Sequence, residues 1–215
     1  MKEAFKTSLS VGLGLGPLGV AFGVLVVQAG LPWWWATIFT TVVYAGSFEF
    51  VLVGLVTVMA PLATIATTAL LVNVRHLFYA LSFPLHRVGS RGGKVYSTFA
   101  LTDEAYALTT GRQAQQWPGR RIIGLQLFLH LYWVTGGTVG ALLGSLIPDR
   151  IAGLDFALTA LFVVLAVEAV RDVTTPLIAL LAALTALLAF PQQMLLVAFA
   201  LFTVAMLTRR AVARA

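Results

Sequence analysis

The chain has 215 residues, of which 60% are hydrophobic and 10% are charged, and its mean hydropathy is +0.94. A soluble domain averages about 25% charged residues, so this chain has too little charge to cover a globular surface in water. The composition therefore predicts an all-α, polytopic membrane bundle. The net charge of +6 fits cytoplasmic loops, because no basic stretch carries the interleaved aromatic residues of a nucleic-acid site. The absence of cysteine excludes disulfides and thiolate metal sites.

Seven apolar stretches come close to the roughly 20 residues that cross a hydrocarbon core about 30 Å thick. They cover about 8–30, 33–59, 61–84, 121–147, 151–170, 173–190 and 192–208. Prolines at most of their boundaries are typical of helix ends in such chains. We therefore predict a single integral membrane domain over residues 1–215, with about seven segments and with helices interrupted by glycine and proline.

Basic side chains concentrate around residues 85–120, at Arg87, Arg91, Lys94, Arg112, Arg120 and Arg121. The positive-inside rule predicts that this segment is cytoplasmic, and the basic C-terminus also. Three full crossings before it place the N-terminus outside, and this is the arrangement that we predict. The alternative is that one of the three segments enters the membrane and returns, which agrees better with Lys2 and Lys6 at the N-terminus.

The glycine-rich stretch GLGLGPLGVAFG, residues 12–23, contains the spacing of a dinucleotide-binding fingerprint, but it lacks the strand–turn–helix context. Two membrane interpretations remain, and they are compatible. Glycines at three- and four-residue spacing predict a flat helix face for close packing. Alternatively, the proline breaks the helix, and the freed amides bind a substrate carboxylate. The residues expected at that break are Gly14, Gly16, Pro17 and Gly19.

Polar side chains also occur midway through the second and third segments, where a charge costs roughly 2.5–3.5 kcal/mol on insertion scales. The second segment contributes Tyr44, Ser47 and Glu49, and the third contributes Asn73, Arg75 and His76. Helical spacing places Asn73, His76 and Tyr79 on one face. We expect Glu49 to pair with Arg75. That pair either fixes helix register or acts with His76 in gating and proton transfer.

The stretch TFALTDEAYALTTG, residues 98–111, predicts a short helix that Thr102 caps, with Asp103 and Glu104 in its first turn. It either lies on the bundle as an amphipathic cytoplasmic helix or brings these carboxylates and Tyr106 into the mouth of a transport path. A second glycine run follows at residues 136–144. The nearby His130 is a lone polar residue in its segment, and Asp155 is expected to cap a helix.

In this order, six stretches resemble the AzlC-type large subunit of branched-chain amino-acid exporters: GLGPLGVAFG, YAGS with a following Phe, NVRHLFYALSFP, TDEAYAL, YWVTGGTVG and GLDFALTALF. The resemblance runs from about Gly12 to Phe162. It implies a seven-segment subunit that exports valine, leucine, isoleucine and sometimes methionine, with a small four-segment AzlD-type partner. One position departs from the family pattern, because Glu49 stands where Gln is expected.

The predicted function is therefore proton-coupled export of an amino acid across the cytoplasmic membrane, without a cofactor or metal. The expected substrate-binding residues are Gly14, Gly16, Pro17, Gly19, Tyr44, Ser47, Asn73 and His76, with Phe22 and Phe48 as apolar neighbours. The expected coupling and gating residues are Glu49, Arg75, His76, Asp103 and Glu104. An uncoupled channel and a structural subunit are the alternatives. No nucleophile–base pair or metal cluster is recognisable, so an enzyme is not predicted.

Overall fold

The computed structural model describes residues 1–111, 114, 116–147, 174–190 and 193–212, and all regular structure in these residues is helical. Contacts divide the chain into two compact units, Met1–Ile151 and Ala152–Ala215. The predicted segment 151–170, Asp155 and the whole stretch GLDFALTALF lie outside the described residues. The prediction of an all-α membrane bundle is confirmed by the helical content and by helices that are long and apolar enough to cross a membrane.

The first unit is built from long apolar helices and several short ones. In chain order they are α1 (Lys2–Gln28), α2 (Trp34–Ile38) with a π-helical extension (Phe39–Val43), α3 (Ser47–Thr57), α4 (Leu62–Asn73), α5 (Arg75–Tyr79), a 3-10 turn (Leu85–Arg87), α6 (Arg91–Phe99), α7 (Asp103–Thr110) and α8 (Gly119–Ser145). In the second unit, α9 (Thr174–Ala189) and α10 (Met194–Val212) pack against each other. Among the described helices, Lys2–Gln28, Leu62–Tyr79 and Gly119–Ser145 reach the length and hydropathy of a membrane span.

Helices α1 and α8 are parallel and pack together through their glycines. A Cβ on Gly19 would lie 3.0 Å from the Trp133 carbonyl, and one on Gly23 would overlap the Gly137 carbonyl. At the other end of α1, Ala4 lies beside Gly124. Residue numbers therefore rise together along the two helices. The prediction of close packing through small residues is confirmed, and the second glycine run supplies the facing surface.

The predicted break at residues 12–23 is wrong, because α1 is one continuous helix with Pro17 inside it. Proline removes one backbone hydrogen bond, which membrane helices tolerate when their surroundings hold the backbone. Here the packing against α8 does so. Gly14 and Gly16 have open space where a Cβ would stand, and Pro17 is exposed. The unwound amides on which the predicted carboxylate site at these residues and Gly19 depends are therefore absent from α1.

The predicted second span is two helices joined by a reversal, and we call residues 34–57 hairpin A. Its first arm descends along α8, since the Thr37 hydroxyl lies 2.8 Å from that of Thr138, and Tyr44 stacks on His130 at 4.0 Å. The backbone then turns at Tyr44, whose φ is +44°, and at Gly46, whose φ is also +44°. The second arm returns, because Glu49 and Phe50 both lie beside Trp133, about one turn of α8 beyond His130.

Residues 91–110 reverse in the same way from the other end of α8, and we call them hairpin B. Its first arm, α6, climbs from Gly93, which lies beside Ile123, to Phe99, whose ring lies 5.8 Å from His130. The second arm, α7, returns toward Arg121. As predicted, Thr102 caps α7, and its hydroxyl accepts a hydrogen bond from the Ala105 amide at 3.4 Å.

The parallel packing of α1 and α8 places Met1 and Gly119 at the same end of the first unit. An N-terminus outside the cell, with the basic segment inside, does not agree with this geometry. That prediction requires residues 33–59 to cross as one span. Because hairpin A reverses, α1 and Leu62–Tyr79 are the two span-length helices that precede the basic segment.

Candidate functional site

The tips of hairpins A and B meet at Arg75, and we call the contact among Ser47, Arg75 and Asp103 the junction. Nη2 of Arg75 donates to the Ser47 hydroxyl at 2.9 Å and lies 3.0 Å from Oδ2 of Asp103. Ser47 begins α3, and Asp103 begins α7, so a single guanidinium joins the first turns of both returning arms. The Arg75 and Asp103 side chains are 42% and 41% exposed.

The predicted ion pair between Glu49 and Arg75 is wrong, because Arg75 pairs with Asp103. Glu49 turns back toward the start of its own helix instead. Its Oε1 accepts from the Ala45 amide at 2.8 Å and from the Gly46 amide at 3.1 Å. These are the amides that the reversal leaves without helical partners, so the carboxylate caps α3.

Glu49 is fully buried, and the Trp133 indole N–H lies 3.1 Å from both of its carboxylate oxygens. No basic side chain of the described residues is within ion-pair distance of it. A buried charge without a cation is costly, so the three N–H donors are its compensation. Phe22 is also fully buried, and it stacks on Trp133. Phe22 and Phe48 are therefore buried core residues.

The carboxylate of Asp103 contacts the polar side chains of α5. The Tyr79 hydroxyl donates to Oδ1 of Asp103 at 2.9 Å, and Nε2 of His76 lies 3.9 Å from the same oxygen. Nδ1 of His76 donates to the Asn73 carbonyl at 3.1 Å. The His76 and Tyr79 rings lie 5.4 Å apart, so these two side chains share a face. The helix is interrupted at Val74, and a face shared with Asn73 stays a prediction.

Two buried polar atoms on neighbouring turns have no hydrogen-bond partner among the described residues. One is the donor Nε of Arg75, which belongs to the junction, and the other is the acceptor Oδ1 of Asn73, at the end of α4. The Asn73 amide nitrogen is satisfied by the Ala69 carbonyl at 2.9 Å. An unpaired buried polar atom costs about 1–3 kcal/mol, so a ligand that offers one acceptor and one donor would stabilise this arrangement.

Sequence reasoning missed the stripe of α8 that holds both hairpin tips. Gln126 donates to the carbonyls of Ser97 and Ala100 in hairpin B, at 2.8 and 3.0 Å. His130 donates from Nε2 to the Thr40 carbonyl of hairpin A at 3.2 Å. Spacings of four and then three residues place Gln126, His130 and Trp133 on one face. That spacing is the signal in the sequence that could have identified the stripe, and it shows that His130 is not an isolated polar residue.

Three further predicted residues, Tyr44, Glu104 and Tyr106, are not members of the junction. Tyr44 is at the tip of hairpin A, and its ring is buried between His130 and Phe99. Glu104 lies in the first turn of α7, next to Asp103. The Tyr106 ring stacks on that of Tyr79 at 4.2 Å, beside the junction. The interpretation in which residues 98–111 bring carboxylates to a polar mouth therefore agrees with the contacts of Asp103.

The family model described as "AzlC protein" matches residues 10–147, which include both hairpins and all of α8. The chain belongs to the AzlC family. It is 33% identical to the branched-chain amino acid transport protein AzlC of Bacillus subtilis, over 78% of this chain and 66% of that protein. It is also similar to an uncharacterized membrane protein of Helicobacter pylori (34% identity, 80% of this chain, 77% of the relative) and to the Escherichia coli inner membrane protein YgaZ (29%, 74% and 69%). No solved structure matches the chain.

AzlC membership makes this chain a membrane protein of a transport family. At the junction, a guanidinium nitrogen and a carboxylate oxygen lie 3.0 Å apart, and Nε of the same guanidinium has no partner among the described residues. Glu49 makes other contacts, since its carboxylate is held by the amides of hairpin A and by Trp133.

Proposed function

We propose that this AzlC-family chain is a secondary transporter that exports valine, leucine and isoleucine, and also methionine, from the cytoplasm. The observation that carries the proposal is the unpaired buried Nε of Arg75, whose guanidinium forms an ion pair with Asp103 in a transport family, with the unpaired Oδ1 of Asn73 two residues earlier in the chain. The relative from Bacillus subtilis is named for branched-chain amino acid transport, which supports the substrate class.

The carboxylate of the substrate binds the guanidinium of Arg75. The ammonium group of the substrate binds Oδ1 of Asn73 and the carboxylate of Asp103. Each contact satisfies an atom that has no partner without substrate, or it replaces half of the existing ion pair. Charge-assisted hydrogen bonds of this kind are about twice as strong as neutral ones. The stacked rings of Tyr79 and Tyr106 lie beside Asp103 and offer an apolar surface to a branched side chain.

Export is coupled to protons that move inward. An amino-acid zwitterion carries no net charge, so the membrane potential does no work on it. One proton that moves inward through 100 mV contributes about 2.3 kcal/mol. This energy sustains a gradient of roughly fifty-fold at about 1.4 kcal/mol per factor of ten. Glu49 is the first candidate for the proton carrier, because its buried carboxylate has N–H donors but no basic side chain within ion-pair distance among the described residues. His76 is the second, because it faces Asp103.

A small AzlD-type subunit completes the transporter. The exposed apolar side chains of α4, such as Leu62 and Leu70, provide a surface for lipid or for such a subunit. Co-expression of a four-span protein encoded beside this chain tests the requirement. Transport by the chain alone would remove the partner from the mechanism.

Uptake of labelled leucine into inside-out vesicles tests the proposal. The imposed gradient has an acidic vesicle lumen, which corresponds to the outside of the cell. We expect accumulation above the external concentration, and we expect a protonophore to abolish it. Leucine that only equilibrates would indicate an uncoupled channel, and no uptake with or without the partner would contradict the proposal.

Two substitutions separate binding from coupling. Glu49→Gln retains one carbonyl acceptor for the amides of Ala45 and Gly46 but removes the titrating group. We expect exchange of labelled for unlabelled leucine to continue in this variant while proton-driven accumulation is lost. His76→Ala is the parallel variant for the second candidate. Accumulation that is unchanged in both variants would remove both residues from the coupling role.

A further inference from the structure

We propose that hairpins A and B are re-entrant: they enter the bilayer from opposite faces, meet near its middle, and leave by the face that they entered. Hairpin A opens on the outer face, hairpin B opens on the cytoplasmic face, and the N-terminus lies in the cytoplasm. The inference rests on contacts within the first unit and is independent of the transported substrate.

Helix lengths exclude a full crossing by any arm of the hairpins. The arms of hairpin A comprise Trp34–Val43 and Ser47–Thr57, and those of hairpin B comprise Arg91–Phe99 and Asp103–Thr110. At 1.5 Å per residue, arms of this length span roughly 12–17 Å, about half of the hydrocarbon core. By contrast, the 27 residues of α8 span about 40 Å.

The contacts along α8 give the direction of each arm. In hairpin A, Thr37 contacts Thr138, and Tyr44 contacts His130, which lies closer to the middle of α8. Glu49, on the second arm, contacts Trp133, about one turn back toward Thr138. The first arm therefore runs toward the middle of α8, and the second runs away again toward Ser145. The neighbouring Leu62–Tyr79 helix agrees with this direction, since Arg75 contacts Ser47 at the tip.

Hairpin B mirrors this path from the Gly119 end. Along its first arm, Gly93 lies beside Ile123, and Ser97 is hydrogen-bonded to Gln126. Phe99, at the end of the arm, contacts His130. Its second arm returns to a cavity that Leu108 and Gly111 line together with Arg121 and Thr7. His130 lies about 16 Å along α8 from Gly119, so the tips meet near mid-membrane.

The groups at the meeting point explain how unwound backbone is stable at this depth. Non-helical backbone within a bilayer is found where protein or a water-filled cavity satisfies its polar groups. His130 binds the Thr40 carbonyl of hairpin A, and Gln126 binds the Ala100 carbonyl of hairpin B. Arg75 then joins Ser47 to Asp103, so a single side chain links the tips of the two hairpins.

The orientation follows from the parallel packing of α1 and α8. Gly119 follows the basic segment, which the positive-inside rule assigns to the cytoplasm. Met1 lies at the same end as Gly119, beside Gly124. Lys2 and Lys6 then also obey the rule, and the number of crossings between them and the basic segment is even.

The chain contains no cysteine, so single-cysteine variants of the full-length protein can test this arrangement directly. Ala29→Cys and Ala60→Cys flank hairpin A, Gly89→Cys and Gly111→Cys flank hairpin B, and Lys2→Cys reports the N-terminus. Intact cells are treated with a membrane-impermeant maleimide, and the remaining thiols are then counted after permeabilisation and after denaturation. Trp33→Cys and Val58→Cys are a second pair for hairpin A, should either first variant fold poorly.

We expect both cysteines around hairpin A to react in intact cells. Those at positions 89, 111 and 2 should react only after permeabilisation. Opposite accessibility of positions 29 and 60 would show that residues 34–57 cross the membrane, and it would overturn the proposal for hairpin A. Opposite accessibility of positions 89 and 111 would do so for hairpin B. External reaction at position 2 would overturn the assigned orientation. The labelling requires no transport, so its failure is distinguishable from a failure of the leucine assay.

Discussion

The α1–α8 interface and the junction are built on opposite principles. At the interface, the glycines only allow the two backbones to approach closely. Both helices remain continuous through a proline and several glycines. At the junction, the backbone reverses at Tyr44–Gly46 with a single glycine, because side chains receive its free polar groups. Partners for the backbone, more than the number of glycines and prolines, therefore decide where a membrane helix breaks.

The largest expected effect is at the junction. Arg75→Gln removes the charge that holds Asp103 and the proposed substrate carboxylate, so leucine transport should fall at least about a hundredfold, or about 2.8 kcal/mol. The measurement is the initial rate of uptake, normalised to the amount of protein in the membrane. Arg91→Gln is the matched control, because Arg91 is an exposed residue in the first turn of α6, and it should transport normally. Equal losses in the two variants would show that the junction has no special role.

A second prediction concerns the glycine interface. A Cβ on Gly23 would overlap the Gly137 carbonyl, so Gly23→Ala should destabilise the protein by about 1–3 kcal/mol. Gly14→Ala is the control, because open space receives its Cβ, and it should be neutral or stabilising by up to about 1 kcal/mol. Thermal unfolding in detergent measures both. Equal stability of the two variants would contradict the parallel packing of α1 and α8.

The smallest expected effect joins the first arm of hairpin A to α8. The hydroxyls of Thr37 and Thr138 lie 2.8 Å apart. Hydrogen bonds between membrane helices average about 0.6 kcal/mol in double-mutant cycles, and we expect a coupling of that size from Thr37→Val and Thr138→Val. Unfolding in mixed detergent micelles gives the four free energies. Zero coupling would indicate that the first arm does not lie against Thr138.

Much of the fold is predictable from the sequence, and the path of the chain in the membrane is not. Hydropathy identifies residues 33–59 as an apolar stretch of span length, but it does not predict that the chain reverses within this stretch. That reversal depends on distant partners such as His130 and Trp133 on α8. Likewise, Pro17 predicts a break, but α1 is continuous and packs closely on the glycines of α8.

The candidate site is predictable in its residue types more than in its pairing. Asn73, Arg75, His76 and Asp103 stand out because polar groups are costly in a membrane, and the structure brings them together. The predicted partner of Arg75 is wrong, because Glu49 and Asp103 are both carboxylates and sequence spacing does not choose between them. The choice follows from the reversal, which uses Glu49 to cap α3.

Protection of Ser47→Cys by substrate tests most directly whether the amino acid binds where the hairpin tips meet. The cysteine-free chain allows the rate of reaction with N-ethylmaleimide at this position alone to be measured in vesicles. A saturating concentration of leucine should slow the reaction at least about tenfold, the factor that corresponds to 1.4 kcal/mol, and lysine should not. A rate that leucine leaves unchanged, in a variant that still transports leucine, would contradict the binding of substrate at the junction.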